Sequence, residues 1–421
     1  MLNRGISKFL PQAISNACWA FAKLDLIHDD FLEAAGSHAA EHMHTWDSQA
    51  IANMVWAYAK MEVCHDRLMA AVATTVTGEV YSRPDAPSHS KIEEFTCQEV
   101  SNVMLAFARL SIYTTEVLQL VETEMSKPQR LKDSTQQGLV NIMWSFATLR
   151  YYPAKYFHAV MPHLARLLPR LRDQELANCL WVFGRLAHHP GRLMGALCEA
   201  VDHQVRSNPD FSLQATSNSL WAMAVLGSAH NSTAMRLVQY LYSHEHDYLL
   251  DTHLHQTFQA VLLARVQAIM AGDKGLANRL VMPPKMQAQA VKCWKSMMRN
   301  SRVSVFQQDV SDVVAALQVE HQMEYLAQDG LFSVDVAIQR GGKSIAIEVD
   351  GPYHYTLNTH QPLGHTLLRR RLLTAMGWTV VSVPYFDWNR LQSGLDKAHY
   401  MARLLTQHGC ELPDLDLFQK P

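Results

Sequence analysis

The stretch Gln49–Met61 reads QAIANMVWAYAKM, and its periodicity decides the architecture of most of the chain. Apolar residues recur at three- and four-residue intervals, the pattern of a helix advancing about 100° per residue. Outward from it the same pattern returns five times: QAISNACWAFAKL from Gln12, QEVSNVMLAFARL from Gln98, QGLVNIMWSFATL from Gln137, QELANCLWVFGRL from Gln174 and QATSNSLWAMAVL from Gln214. The common form is Gln-x-x-x-Asn-x-x-Trp-x-Phe-Ala-x-Leu, with Asn anchors at 16, 53, 102, 141, 178 and 218. Their spacings of 37, 49, 39, 37 and 40 residues are those of a helical-hairpin array. The long interval contains SRPDAPSHSKIEE (82–94), a polar, Pro-bearing insertion expected to be a surface loop.

Each unit continues with a second amphipathic stretch, such as PAKYFHAVMPHLARLL from Pro153 or PGRLMGALCEAV from Pro190, where Pro suits the first helical turn. A lone hairpin cannot bury its apolar face, so successive hairpins must stack. The predicted fold is mainly α, a right-handed helical-hairpin solenoid of six to seven repeats over residues 1–270, with a degenerate capping unit around 253–270. On each first helix, Gln, Asn, Trp and the residue four past Trp share one stripe, and Phe lies opposite. The stripe ends in Lys23, Lys60, Arg109, Thr148, Arg185 and Val225. Two readings are open: amides that hydrogen-bond between repeats around an indole core, or a surface of amides, cations and aromatic edges. The second offers what single-stranded RNA requires, namely partners for base edges, charge for phosphates and flat surfaces for stacking. Its candidate RNA-binding residues are Asn16, Lys23, Asn53, Lys60, Asn102, Arg109, Asn141, Asn178, Arg185 and Asn218.

These units, on the strength of NMVWAYAKM, NIMWSFATL and NCLWVFGRL, resemble the octotricopeptide and related heptatricopeptide repeats of organellar RNA-binding proteins. The resemblance covers about residues 10–270 and implies binding of RNA in the mitochondrion or, alternatively, the chloroplast. Octotricopeptide repeats often carry a PPPEW segment after this helix, whereas here the equivalent places read HHPGRLM or YYPAKYF. A base-by-base reading code is therefore not carried over.

Apolar residues make up 48% and charged residues 18% of the 421, the balance of an ordered protein with filled interiors. The formal charge of −2 argues against capture of nucleic acid by bulk positive charge, so any such surface is local. Seven Cys at 18, 64, 97, 179, 198, 293 and 410 stand singly with no C-x-x-C pair, and read as reduced core thiols. No run approaches the eighteen or so uninterrupted apolar residues of a membrane span. The N-terminal MLNRGISKFL has two cations and no acid, a faint likeness to an organellar presequence.

From about Gly272 the texture changes, and AGDKGLANRLVMPPKMQ reads as linker. The expected partition is a linker and connecting helix over 271–304, a small α/β domain over 305–410, and a tail over 411–421. The domain's pattern is a helix near 306–320, strands LFSVDVAIQ and SIAIEVDG around a Gly-Gly turn, a basic helix LGHTLLRRRLLTAMG, the strand WTVVSVPY and a helix over 389–407. Side chains two apart on a strand share a face, so Glu348 and Asp350 point the same way, with Asp335 on the preceding strand. Such acids suit Mg²⁺, which takes one or two carboxylates with water and phosphate oxygens, and so suit phosphodiester cleavage. No other cofactor is implied.

IAIEVDGPYHY and TLLRRRLLTAMGWTVVSVPYFDW closely resemble a RAP domain, the RNA-binding module of many organellar proteins, itself similar to very-short-patch-repair and PD-(D/E)XK nucleases. The resemblance implies a restriction-endonuclease-like fold. That nuclease pattern requires Lys two places after the second acid, and Asp350 stands there instead. His354 is the available substitute. The competing role is RNA binding by Arg369, Arg370 and Arg371 on the basic helix with His354, His360 and His365 beside it, two of the three arginines reaching one phosphate track. Tyr353, Tyr355 and Trp388 could stack on bases or serve as core. The leading expectation is an organellar RNA-binding protein acting on single-stranded or ribosomal RNA for stabilisation, processing or translation. Its partners would be RNA and proteins of an organellar ribonucleoprotein or ribosome, and no membrane. A Mg-dependent RNA endonuclease using Asp335, Glu348, Asp350 and His354, and a solenoid that binds only protein, are the alternatives.

Overall fold

The computed structural model describes residues 5–78, 90–229, 231–244, 251–298, 303–327 and 330–413. Most of the 82–94 insertion, the start of the presequence-like stretch and residues 414–421 of the tail lie outside them. In chain order the helical region comprises α1 (Pro11–Lys23), α2 (Asp29–His42), α3 (Ser48–Lys60), α4 (Asp66–Thr77), α5 (Cys97–Arg109), α6 (Thr115–Met125) and α7 (Pro128–Asp133). It continues through α8 (Gln136–Thr148), α9 (Ala154–Leu167), α10 (Asp173–Arg185), α11 (Leu193–Ser207), α12 (Leu213–Val225) and α13 (Ser232–Ser243). Then come α14 (Asp251–Met270), α15 (Lys274–Arg279) and α16 (Pro284–Met298). The six repeat motifs thus occupy α1, α3, α5, α8, α10 and α12.

The repeat is a repeat of helix ends as much as of faces. Its Gln is the second helical residue every time, and the residue two before it caps the helix: Asp47, Thr96, Thr135 and Ser212 each accept a hydrogen bond from a backbone N–H three residues on. Such caps satisfy N–H groups that have no partner inside the helix. At the other end, Asp25, Glu62, Ser111, Arg150, Ala187 and Gly227 all adopt positive φ, between 49° and 78°. The next residue's N–H then donates to the carbonyl of the motif aromatic or its Met replacement, as in Leu26 to Phe21, Val63 to Tyr58 and Ser228 to Met223. This is the Schellman closure, and only the sixth repeat supplies the glycine that makes it free of side-chain strain.

The chain divides into two compact units. The first holds residues 1–182, with 190–200 and 357–359. Within it α1, α3, α5 and α8 pack in succession as one layer, and α2, α4, α6 and α9 as another. The second holds residues 183–189, 201–356 and 360–421, so the end of the repeat array and the α/β region belong to the same unit. There α14 packs between α12 and α16.

The α/β region runs α17 (Val305–Ala316), β1 (Gln322–Ala327), β2 (Phe332–Arg340), β3 (Lys343–Asp350), α18 (Gly364–Ala375), β4 (Thr379–Pro384), α19 (Tyr385–Trp388) and α20 (Gly394–Gln407). Its sheet has the order β1-β2-β3-β4, antiparallel except for the parallel β3–β4 pair. Two corrections to the sequence reading follow. The expected helix over 306–320 ends at Ala316, because Gln318 takes positive φ (56°) and the chain turns into β1, whose polar QMEYLA shows little alternation. The final helix begins at Gly394 rather than 389, where Ser393 and Asp396 form a capping box.

Alternation on β3 separates two faces. Ile345, Ile347 and Val349 join Val310, Val313 and Val314 of α17 and Met401 and Leu405 of α20 in the core. Glu348 and Asp350 face the other way, and they too are buried, at 3% and 2% exposure. The strand is covered on both faces, one by the apolar core and the other by α18, whose arginines meet the two acids.

Candidate functional site

Register sets the acidic cluster. Val336 pairs with Ile347, and Glu348 with Ser382, so Asp335 of β2, Glu348 of β3 and Ser382 of β4 lie side by side on the face toward α18. Arg369 of α18 reaches down to them: its Nε donates to Glu348 Oε2, and its Nη2 donates to Glu348 Oε1 (3.2 Å) and to the Ser333 carbonyl. Arg370 Nη2 donates to Asp350 Oδ2 at 2.7 Å, where Ser382 Oγ also donates at 2.6 Å. Asp350 Oδ1 lies 3.3 Å from His354 Nδ1. Asp335 Oδ1 accepts from Gln307 Nε2 at 2.9 Å and Oδ2 from the Val349 N–H at 2.7 Å.

Five of the six carboxylate oxygens therefore accept from a protein donor, and the sixth, Asp350 Oδ1, lies against the His354 ring. Two guanidinium groups balance two carboxylates on α18's side of the sheet. Among the described residues no group of three or more His, Cys, Asp or Glu is arranged to hold a metal ion. The donor set does not fit a divalent cation, whose carboxylate oxygens would have to be free of these partners. Burial pushes the Asp335 carboxyl up to about 7, with Glu348 adding to the rise and Arg369 opposing it. Burial works against the charge of Arg369, yet Glu348 holds it firmly protonated. Burial also lowers His354 despite Asp350 beside it. These are shifts of an enclosed ion-pair network, one of the arrangements that perturb titration without catalysis.

The stripe on the first helices has a different character. In the first unit all motif glutamines are exposed, Asn16 is exposed, and Asn53, Asn102, Asn141 and Asn178 are half-buried. Gln98 Nε2 donates to Asn102 Oδ1 at 3.0 Å within α5, and among the described residues the other motif asparagine amides make no side-chain hydrogen bond within the protein. The expected alternative of an amide ladder between repeats is therefore not formed. The indoles sit at the surface edge: Trp19 is 43% exposed and packs on Trp56 with ring centroids 6.4 Å apart, and Trp144 stacks on Trp181 at 6.3 Å. Lys23 Nζ lies 5.1 Å from both Trp19 and Trp56, an arrangement in which the ring quadrupoles favour the cation. Lys60 pairs with Asp25 at 2.8 Å in solvent, a weak contact at this exposure. Arg109 is exposed. The opposite aromatics Tyr58, Phe107 and Phe146 are core.

Comparison with known proteins now bears on the sheet and its arginine helix. Residues 347–404 match the RAP domain family. The chain carries a C-terminal RAP domain. It is 24% identical over 361 residues, 75% of its length, to a chloroplastic RAP domain-containing protein of Oryza sativa subsp. japonica, of which the match covers 53%. It is 31% identical over 87 residues to the mitochondrial FAST kinase domain-containing protein 3 of Bos taurus, covering 20% of this chain and 13% of that protein. The chain thus spans about half the length of the rice relative.

Within the second unit the RAP domain's α18 meets the end of the repeat array, a contact that sequence reasoning missed. Arg371 Nη1 donates to the Ala224 carbonyl (3.3 Å), which also accepts from the Gly227 N–H, and to the Val225 carbonyl, at a helix C-terminus that favours a cation. Arg185 Nη1 lies 2.8 Å from His365 Nδ1. A Cβ on Gly364 would overlap the Gly184 carbonyl oxygen and come within 3.0 Å of Val225 Cγ1. The signal was present in the motif: the position three past Trp is Ala in five repeats and Gly184 in the fifth, and the cation position becomes Val225 in the sixth. Trp221 is only 5% exposed there. The expected phosphate track is corrected for Arg369 and Arg370, whose guanidinium groups pair with the buried carboxylates Glu348 and Asp350, whereas Arg371 stays exposed with its Nη1 on the end of α12. Among the candidate stacking aromatics, Tyr355 and Trp388 are buried, with Trp388 Nε1 donating to Asp309 at 2.7 Å, while Tyr353 is 76% exposed. His360 stacks on Phe386 at 4.7 Å. Among the described residues no helix is long and apolar enough to cross a membrane.

Proposed function

We propose that the protein is an organellar RNA-binding protein whose repeats, of octotricopeptide type, hold single-stranded RNA along the first-helix stripe, and whose RAP domain binds without cleaving. The observation that supports this reading is the set of half-exposed asparagine amides with no side-chain partner beside paired indoles. An amide offers both donor and acceptor to a base edge, an indole offers a stacking face, and Lys23, Lys60 and Arg109 supply charge for phosphates. The RAP family and the printed names of the relatives, chloroplastic and mitochondrial, support an organellar site of action, mitochondrial in the first instance. The net charge of −2 suits a chain that shares phosphate neutralisation with neighbours in a larger ribonucleoprotein.

The test is fluorescence anisotropy of an unstructured RNA oligonucleotide with the full chain and with a Lys23→Glu/Lys60→Glu/Arg109→Glu variant. Three lost phosphate contacts should flatten the logarithmic salt dependence by about 2, whereas Lys155→Glu on α9 should change little. Binding and salt dependence unchanged in the triple variant would refute the reading and leave the stripe to a protein ligand.

A further inference from the structure

Arg369 and Arg370 of α18 are paired with buried acids and Arg371 rests its Nη1 on α12, so exposed guanidinium groups elsewhere in the RAP domain are the ones with no buried ion partner to give up. Helix α20 carries them. Its inner side, Ala398, Met401 and Leu405, packs into the core on the sheet face opposite α18. Its outer side and the turn after α19 enclose an open groove of about 720 Å³, within the size range of small-ligand sites. Leu391 and Ala402 form an apolar floor, Tyr400 forms a wall, and Arg390, His399 and Arg403 stand around it. Tyr400 is held edge-on by Trp388, centroids 6.1 Å apart and planes at 75°, and the Arg403 guanidinium lies 5.8 Å from its ring centre.

Positive charge is in excess in the groove. The lining acid, Asp396, keeps its charge at the N-terminus of α20, where its Oδ2 accepts from Ser393 Oγ (2.8 Å) and the Ser393 N–H (3.0 Å), and it faces two guanidinium groups. Arg390 makes only a 3.8 Å approach to Asp387, and among the described residues Arg403 has no ion pair. A small apolar floor, a fixed aromatic ring and two exposed guanidinium groups call for a ligand that is flat, aromatic and anionic. An amphipathic peptide would need a longer apolar track than Leu391 and Ala402 provide.

We infer that the α20 groove of the RAP domain takes one nucleotide of single-stranded RNA, the base against Tyr400 and the phosphate between Arg390 and Arg403. The inference rests on the RNA-binding reading above and adds a separate RNA contact within the second unit. Base stacking with one phosphate contact per guanidinium sets the scale of the effect. In the full chain, Arg390→Ala/Arg403→Ala should weaken binding of a ten-nucleotide oligouridine roughly tenfold and flatten the salt dependence by about 1.4. Both positions are exposed, so the variant should fold, and an unchanged melting temperature verifies it. Ultraviolet crosslinking of the same RNA should label the peptide containing Tyr400 in the unsubstituted chain. Unchanged affinity together with no crosslink on α20 overturns this inference alone. Absence of RNA binding by the unsubstituted chain overturns the parent reading and this one together. Unchanged RNA affinity with loss of binding to a hexaglutamate peptide would assign the groove to protein and also overturn it.

Discussion

Replacing Glu348 by Gln separates a structural acid from a catalytic one. The substitution keeps the shape of the side chain and one acceptor but removes the charge that faces Arg369. Glu348 is 4% exposed and Arg369 21% as side chains, so the guanidinium would be left charged in a largely enclosed site. Removing one partner of a buried pair costs about 3–5 kcal/mol. Arg369 keeps its bond to the Ser333 carbonyl and part of its surface in water, which places the expected loss at the lower end, about 3 kcal/mol. For a body of this size each kcal/mol moves the melting temperature by about 2–4 °C, giving a fall of roughly 6–12 °C. The assay is thermal and urea unfolding followed by circular dichroism for Glu348→Gln, Arg369→Met and the double variant. The double variant should be less destabilised than the sum of the singles by more than about 1 kcal/mol, as expected for residues in contact. A catalytic acid is commonly held at the expense of stability. An unchanged or raised midpoint in Glu348→Gln would therefore refute the ion-pair account and restore the nuclease reading.

Gly364→Ala should destabilise by about 2–3 kcal/mol, the upper range for overpacking, because the new methyl meets the Gly184 backbone rather than a flexible side chain; Gly351→Ala, with nothing within 4 Å, is the control, and equal urea midpoints for the two would contradict the packing described. Glu62→Gly should stabilise by roughly 0.5–1 kcal/mol by relieving a left-handed non-glycine residue, a gain read from thermal unfolding and disproved by any loss. Asp335, with its carboxyl pushed up to about 7 by burial against about 4 when unfolded, binds its proton more tightly in the native state; its contribution is full at low pH and declines as pH rises from about 4 to 7. Asp335→Asn should flatten that decline, and urea midpoints at pH 5 and pH 8 that fall in parallel for both proteins would exclude Asp335 as its source.

The repeat was legible because it is written in period: Gln, Asn, Trp and Phe return at fixed offsets, and the helices start and stop where those offsets place them. The strands β2, β3 and β4 were legible as apolar runs between turn signals. β1 was not, since an edge strand with Glu324 at positive φ (46°) lacks the alternation that marks a half-buried strand. Strand alternation puts Glu348 and Asp350 on one face, and the β2–β3 register, which the sequence does not give, sets Asp335 beside them. Their chemistry was not legible, because it depends on which way the α18 arginines turn. A run of three arginines points around a helix in three directions, and the sequence does not say that two of those directions are the sheet and the third is the end of α12.

That third direction explains why the last repeats depart from the motif. Gly184, Arg185 and Val225 look like erosion of a pattern when read along the chain, yet each faces a residue of α18: Gly184 and Val225 face Gly364, Arg185 faces His365, and the carbonyl of Val225 takes Arg371. The change in sequence texture near Gly272 marks where repeats stop, whereas packing places the end of α10 and all of α12 with the RAP domain. The arginine helix is neutralised by the acids on one side and by a helix terminus on the other, so it works as a structural joint. In this RAP domain two arginines of α18 cover the acidic face of β3. With Arg369 and Arg370 paired, the exposed guanidinium groups of α20 and the unpartnered amides of the repeats are the surfaces to test first.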